Sequence, residues 1–260
     1  MKKLPEVTFL FWIMKIAATT LGETSGDLLS MTLNLGYAVS SLILFAFFLF
    51  TVIPQLVAKK YHPMIYWSVI LSTTMVGTTI SDYMDRTLHL GYLAGSAILL
   101  SILLAIFAVW RLSGQPLAVE KIRSFPAELL YWLAILASNT LGTALGDFFS
   151  DTSGLGYAGG AELIGGVLLL AAFAAYFTRI PRVFLFWLAF VLTRPFGATF
   201  GDLFTKPLGS GGLGVGTIDS SILLLAVLGG CIAYTTWQHY RGLRQQVSPV
   251  EPATNFRESR

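Results

Sequence analysis

The chain alternates between two kinds of apolar segment. One kind is almost free of polar residues and recurs four times, at residues 39–57, 93–110, 163–177 and 222–235. The other kind carries acids, threonines and glycines within an apolar frame, as in residues 11–37. Because about 20 mostly apolar helical residues cross the hydrocarbon core of a bilayer, this pattern predicts membrane-spanning helices of two classes.

The alternation predicts an all-α, polytopic membrane protein of about eight transmembrane helices. The predicted helices lie at 7–31, 37–58, 64–87, 92–111, 126–150, 157–178, 182–205 and 216–240. One polar-bearing helix and one apolar helix form a repeat. Because each repeat has an even number of helices, all four repeats are expected to enter the membrane in the same direction.

The polar-bearing segments share one spacing of residue types. Ten residues after each tryptophan comes a glycine, and five residues later an aspartate, at Trp12/Gly22/Asp27, Trp67/Gly77/Asp82, Trp132/Gly142/Asp147 and Trp187/Gly197/Asp202. The first and third copies are offset by 120 residues, as are the second and fourth. The chain is therefore an internal fourfold repeat in two membrane halves, 1–115 and 116–240. Residues 241–260 are polar and are expected to form a disordered cytoplasmic tail.

Composition and charge place the chain in a membrane. Hydrophobic residues make up 55%, charged residues 12%, and the mean hydropathy is +0.70. Of the 17 lysines and arginines, 13 fall on one predicted side, Arg86 and Lys206 on the other, and Lys15 and Arg194 within spans. By the positive-inside rule both termini are cytoplasmic, in a bacterial inner membrane. The predicted partners are the lipid bilayer and a metal cation, without nucleic acid, and the oligomeric state stays open.

The four repeated aspartates are predicted to lie at one depth in the outer part of the bilayer. Glu23, Glu162 and Asp219 lie near the same level. Ionisable groups at such depth are costly and usually face a cavity, a partner or a conducted ion. The alternative is a structural role, in which each aspartate caps a broken helix or bonds neighbouring backbone.

Hydroxyl groups accompany the acids. Thr20, Glu23 and Asp27 share one helix face, and the third repeat keeps a similar pattern. Carboxylates with hydroxyl and carbonyl oxygens suit hard divalent cations such as Mg²⁺, Ca²⁺ or Mn²⁺. The predicted metal ligands are Asp27, Asp82, Asp147, Asp202 and Glu23. Further ligand-binding candidates are Thr20, Thr140, Asn139, Asp219 and Glu162, and the predicted counter-ions are Lys15 and Arg194. The only non-protein component expected is the transported cation.

Two resemblances follow from these motifs. The fourfold W-x9-G-x4-D pattern, with L-G-Y at Leu35–Tyr37, Leu90–Tyr92 and Leu155–Tyr157, resembles a functionally uncharacterised family of bacterial membrane-anchored proteins and covers nearly the whole chain. The segment Glu23–Asp27 is weakly similar to the E-x-G-D-[KR]-[ST] motif of cation/proton exchangers that export Mn²⁺ or Ca²⁺. It has one extra residue, and Leu28 replaces the base.

Four functions compete on these observations. The favoured interpretation is a transporter of a hard divalent cation, Mn²⁺ first, with proton-coupled export through the acidic centre. A cation channel with a ring of four aspartates is the alternative, and a non-transporting membrane scaffold is another. An intramembrane aspartyl protease is disfavoured, because four symmetrical acids are too many for a catalytic pair. The protein is therefore not expected to be an enzyme.

Overall fold

The computed structural model describes residues 3–247, and this part of the chain is all-helical, with no strand. Its eight long helices are α1 (Phe9–Asp27), α2 (Tyr37–Val57), α3 (Pro63–Asp82), α4 (Gly91–Leu112), α5 (Phe125–Asp147), α6 (Gly156–Phe177), α7 (Arg182–Thr205) and α8 (Thr217–Val247). The predicted helices therefore exist in the predicted order. The eighth continues through Arg241 to Val247, into the segment expected to be a disordered tail; residues 248–260 lie outside the described residues.

Local sequence signals explain where the helices begin. The Thr8 side chain accepts a hydrogen bond from the Phe11 amide at the start of α1, and Ser124 caps α5 in the same way through Ala127. Pro63 stands at the start of α3, where a missing amide hydrogen costs nothing.

The backbone conformation explains why each L-G-Y motif has a glycine. Gly36, Gly91 and Gly156 adopt φ values of 75°, 72° and 69°, a region that side chains with a Cβ rarely enter. In the fourth repeat Gly216 takes this place, with φ of 89°, directly before α8. These glycines turn the chain from one helix into the next.

Directly after the repeated aspartate, three of the four polar-bearing helices widen into a short π-helix. These segments are Leu28–Thr32, Tyr83–Thr87 and Phe148–Thr152. Single-turn π segments inside helices are rare and occur often at functional sites. The fourth copy instead ends at Thr205 and continues into a glycine-rich link.

The helices form an inner ring and an outer layer. The inner helices α1, α3, α5 and α7 pack in a closed ring, with α1 against α3 and α7, and α5 against α3 and α7. Each outer helix packs chiefly on the inner helix of the following repeat: α2 on α3, α4 on α5, α6 on α7, and α8 on α1. Every repeat is thus interlocked with the next.

The glycines ten residues after the tryptophans let the inner helices approach closely. A Cβ at Gly22 would meet Thr74, one at Gly77 would meet Asn139, one at Gly142 would meet Arg194, and one at Gly197 would meet Thr19. The residues that these glycines contact, at 19, 74, 139 and 194, are themselves equivalent positions of the repeat. The same glycine contact therefore closes all four sides of the ring.

Within residues 3–247, seven helices are long and apolar enough to cross a membrane. They are α2 to α8; α1 carries Lys15, Glu23 and Asp27, and is largely buried within the ring. The outer helices expose many large apolar side chains, Phe50 and Leu169 among them. An apolar surface with a polar interior is the arrangement that a bilayer requires, and the protein is a helical membrane protein.

The glycine ring gives a direct test of packing. Gly22→Ala places a methyl group against Thr74, whose backbone carbonyl carbon would lie 3.1 Å from the new Cβ. Overpacking of this kind costs about 1–3 kcal/mol, so the unfolding temperature in detergent is expected to fall. Gly229→Ala is the matched control, because a Cβ there meets nothing within 4 Å. The Gly229→Ala control should keep the unfolding temperature of wild type or raise it. Equal effects of the two changes would contradict the close-packed ring.

Candidate metal centre

The four repeated aspartates come together at one end of the inner ring, with two bases between them. Lys206 Nζ lies 2.9 Å from Asp27 Oδ2 and 3.0 Å from Asp202 Oδ1. Arg86 lies 3.2 Å from Asp82 Oδ1 through Nε and 3.1 Å from Asp147 Oδ2 through Nη2. Each base therefore joins the aspartate of its own repeat to that of the following repeat.

The two contacts of each base differ in quality. Lys206 donates a hydrogen bond to Asp27, and Arg86 donates one to Asp147. Each base also lies within ion-pair distance of the aspartate four residues earlier in the chain, but it forms no hydrogen bond with that aspartate. Asp82 Oδ1 and Asp202 Oδ1 are thus buried acceptors with no hydrogen-bond partner in residues 3–247. Such oxygens are costly to bury and have coordination capacity to spare.

One turn deeper, Arg194 lies between all four inner helices. Its Nη2 lies 2.7 Å from Glu23 Oε2 on α1, 2.5 Å from the Thr78 hydroxyl on α3 and 2.6 Å from the Thr143 hydroxyl on α5, so its two N–H groups are shared among three acceptors. Arg194 itself comes from α7 and is fully buried, and its Nε and Nη1 have no hydrogen-bond partner in the described chain. This guanidinium is the counter-ion of Glu23 in a deep polar layer.

Below Arg194 the ring becomes less polar. Lys15 Nζ lies 3.3 Å from Asn139 Oδ1 and 4.2 Å from the centre of the Phe190 ring. The sequence predicted that Lys15 pairs with the acids, but within residues 3–247 Lys15 forms no ion pair with a carboxylate. One further turn along, the hydroxyls of Tyr66 and Tyr131 are 2.7 Å apart among packed aromatic rings. The ring is filled with side chains at this end.

Three carboxylates from three inner helices converge between the aspartate end and the level of Arg194. One oxygen each from Glu23, Asp147 and Asp202 lies within 4.8 Å of the others, and all three residues are buried. A hard divalent cation takes carboxylate oxygens at about 2.0–2.6 Å, so oxygens this close to one another suit a shared ion. The three residues therefore form the candidate metal centre.

The charges of the whole cluster favour a cation. Five buried carboxylates, of Glu23, Asp27, Asp82, Asp147 and Asp202, face the three bases Arg86, Arg194 and Lys206. With all of these groups ionised, the acids exceed the bases by two charges. One divalent cation, or two protons, would neutralise this excess.

Lys206 lies one residue beyond α7, and its side chain is 18% exposed. Burial acts to lower its pKa, but the carboxylates of Asp202 and Asp27 outweigh burial and raise the pKa above its ordinary value. The side chain is therefore an ammonium ion at neutral pH.

The remaining predicted residues lie in different surroundings. The hydroxyl groups of Thr20 and Thr140 donate to carbonyl groups of their own helices, at Ile16 and Leu136. Asn139 is occupied by Lys15 and Thr73. Glu162 and Asp219 are exposed, on α6 and at the start of α8, outside the buried cluster.

Sequence reasoning missed the ion pairs of Arg86 and Lys206 with the repeated aspartates, because charge counting assigned both bases to the outer side. Both stand four residues after a repeated aspartate, and the two positions are 120 residues apart, the offset between the membrane halves. A spacing of four puts two side chains on one helix face. That signal was present in the sequence.

Comparison with known proteins gives one match. A family model described as a Repeat of Unknown Function (DUF347) matches the chain four times, over residues 10–61, 65–115, 130–180 and 185–240. These segments coincide with the predicted fourfold repeat, so the internal repetition is confirmed. No curated protein and no solved structure matches the chain.

The Arg194–Glu23 pair can be tested through stability. Arg194→Met leaves the Glu23 carboxylate buried without its base, which is expected to cost about 3–5 kcal/mol of unfolding free energy. Adding Glu23→Gln removes the unpaired charge, so the double variant should recover most of the loss. Unfolding in detergent compares four proteins, wild type, Arg194→Met, Glu23→Gln and the double variant, and strictly additive losses would contradict a direct pair.

Proposed function

The chain belongs to the DUF347 repeat family, and we propose from its own residues that it is a membrane transporter of a hard divalent cation, with Mn²⁺ favoured. The cation binds at Glu23, Asp147 and Asp202, near the centre of the four inner helices. Asp27 and Asp82 complete the acidic surroundings. Protons carried by the same carboxylates are proposed to drive export.

One observation carries this proposal: carboxylate oxygens of three helices converge within 4.8 Å inside the bundle. A structural role for the acids alone would give each buried acceptor a well-aligned hydrogen bond, because a missing one costs about 1–3 kcal/mol. Instead, Asp202 Oδ1 lies within ion-pair distance of Lys206, at 3.0 Å, but accepts no hydrogen bond in the described chain. The excess of acids over bases adds a second reason to expect a cation there.

The ligand types select the class of cation. All the groups at the centre are oxygen donors, which suits Mg²⁺, Ca²⁺ and Mn²⁺ better than metals that prefer nitrogen or sulfur. His62 and His239 face each other at the opposite end of the molecule, near the start of α3. The preference for Mn²⁺ comes from the weak similarity of Glu23–Asp27 to cation exchangers.

The filled interior favours a carrier over a channel. A channel needs a continuous wet path, but Arg194 lies between all four inner helices beneath the carboxylates. Deeper still, the Tyr66–Tyr131 pair and its aromatic neighbours fill the ring. Passage of an ion therefore requires side chains and helices to move, as in alternating access.

The proposed setting is the cytoplasmic membrane of a bacterium, with both termini inside. The bases Lys59, Lys60 and Arg179 follow the C-terminal ends of outer helices, and Arg111 lies in the last turn of α4, all opposite to the aspartate end of the inner ring. By the positive-inside rule this basic end is cytoplasmic. The metal centre then lies toward the outer surface.

Cellular metal content tests the function. Expression of the wild type in a bacterium grown with excess Mn²⁺ is expected to lower cell manganese several-fold, whereas Asp147→Asn/Asp202→Asn removes two ligand charges and should abolish the effect. Asp219→Asn is the matched control, since this acid is exposed outside the cluster, and it should behave as wild type. The measurement is elemental analysis of washed cells, with protein amount checked in isolated membranes.

Three outcomes separate the alternatives. Unchanged levels of every divalent metal with a well-folded wild type would reject the transporter. Equal, partial losses from each of the four single Asp→Asn changes would favour a channel with an aspartate ring. Full activity in the double variant would assign the acids a structural role.

A further inference from the structure

The two bases at the aspartate end are held unequally. Arg86 lies in the π segment of α3 and, beyond its two aspartates, donates to the Tyr37 hydroxyl at 3.4 Å. Its guanidinium also lies 5.8 Å from the centre of the Tyr92 ring. Lys206 is held by the carboxylates of Asp27 and Asp202. Arg86 thus has several kinds of neighbour, whereas Lys206 depends on the charges of the cluster.

The side chain of Lys206 can move while its backbone stays in place. Lys206 is the first residue after α7; its amide donates to the Asp202 carbonyl at 2.8 Å, and its carbonyl accepts from the Gly214 amide at 2.9 Å. Its side chain is partly exposed, so it has a route to solvent. Withdrawal of the ammonium group would leave α7 intact, because the helix ends at Thr205.

Asp202 connects Lys206 to the metal centre. Asp202 Oδ1 lies 3.0 Å from Lys206 Nζ without a hydrogen bond, and Asp202 is also one of the three converging carboxylates. An ammonium ion and a metal ion beside the same carboxylate oxygen repel each other strongly, because their like charges lie at short distance. Binding of one therefore opposes binding of the other.

We infer that Lys206 is a tethered stand-in for the transported cation. Its ammonium group neutralises Asp27 and Asp202 when no cation is bound, and swings out toward solvent when the cation arrives. Asp27 then joins Glu23, Asp147 and Asp202 around the ion. The inference rests on the proposed function and names the residue that competes with the cation for its site.

Binding of Mn²⁺ to the purified protein in detergent tests the competition. Lys206→Gln removes the competing charge, and the Mn²⁺ dissociation constant measured by titration calorimetry is expected to fall about tenfold or more. Lys206→Arg keeps a positive charge and should restore an affinity near that of wild type. Lys60→Gln is the matched control at an exposed lysine between α2 and α3, and should bind as wild type.

The outcomes distinguish this inference from the proposed function. If wild type and Lys206→Gln bind Mn²⁺ with the same dissociation constant, Lys206 is only a structural clamp, and the transporter proposal stands. If neither protein binds Mn²⁺, both proposals fail. Tighter binding by Lys206→Gln alone supports the stand-in.

A second measurement needs no variant and covers the case in which Lys206→Gln does not fold. The wild type is treated with a small amine-reactive reagent, and labelling of each lysine is followed by mass spectrometry. Mn²⁺ should raise the labelling rate of Lys206 several-fold, because the released amine loses its carboxylate partners and gains solvent. Lys60 should label at one rate throughout, and an unchanged rate at Lys206 would overturn the inference.

Discussion

A charge buried within a membrane protein is tolerated only when an opposite charge or a set of donors lies beside it. This constraint orders the centre of the molecule. Arg86, Arg194 and Lys206 each lie beside a carboxylate that comes from another helix. The ion pairs therefore join helices as well as neutralise charge, and the inner ring depends on them at the end where its carboxylates are buried.

Glycine contacts make these pairs possible. The glycines at 22, 77, 142 and 197 bring neighbouring inner helices so close that a Cβ would collide with the next helix. Side chains one turn further along are then within hydrogen-bonding distance across the ring, as in the contact between Thr78 and Glu23. Both features follow from the repeat, but the charges break its symmetry. Four residues after the repeated aspartate, a base stands only in the second and fourth copies, at Arg86 and Lys206, 120 residues apart. At this position the fourfold backbone therefore carries a twofold arrangement of bases.

Much of this could be predicted from the sequence. Apolar spacing predicted the helices and their order, and the repeat predicted that four aspartates share one level, because equivalent positions of equivalent helices meet. The depth of a residue along a helix can be predicted in this way. The direction in which its side chain points around the helix cannot. Glu162 and Asp219 were therefore expected at the site from their depth and are exposed. Lys15 points to Asn139 and Phe190 for the same reason. The ion pairs of Arg86 and Lys206 with the aspartates could have been predicted from their spacing. Charge counting, however, treats a base near a helix end as solvated.

The two ends of the inner ring differ in the contacts that close them. At the acidic end, partly exposed Arg86 and Lys206 cover the carboxylates through contacts that include two poorly aligned ion pairs. At the basic end, Lys3 donates to Glu128 and to the Leu56 carbonyl, and Leu4 is buried in the same apolar core as the packed aromatic rings. The basic end is thus closed by buried apolar contacts and hydrogen bonds, whereas the acidic end is closed mainly by ion pairs of two partly exposed side chains. For the proposed transporter, opening at the acidic end is therefore the less costly step, because the incoming cation would replace the bases beside the same carboxylates.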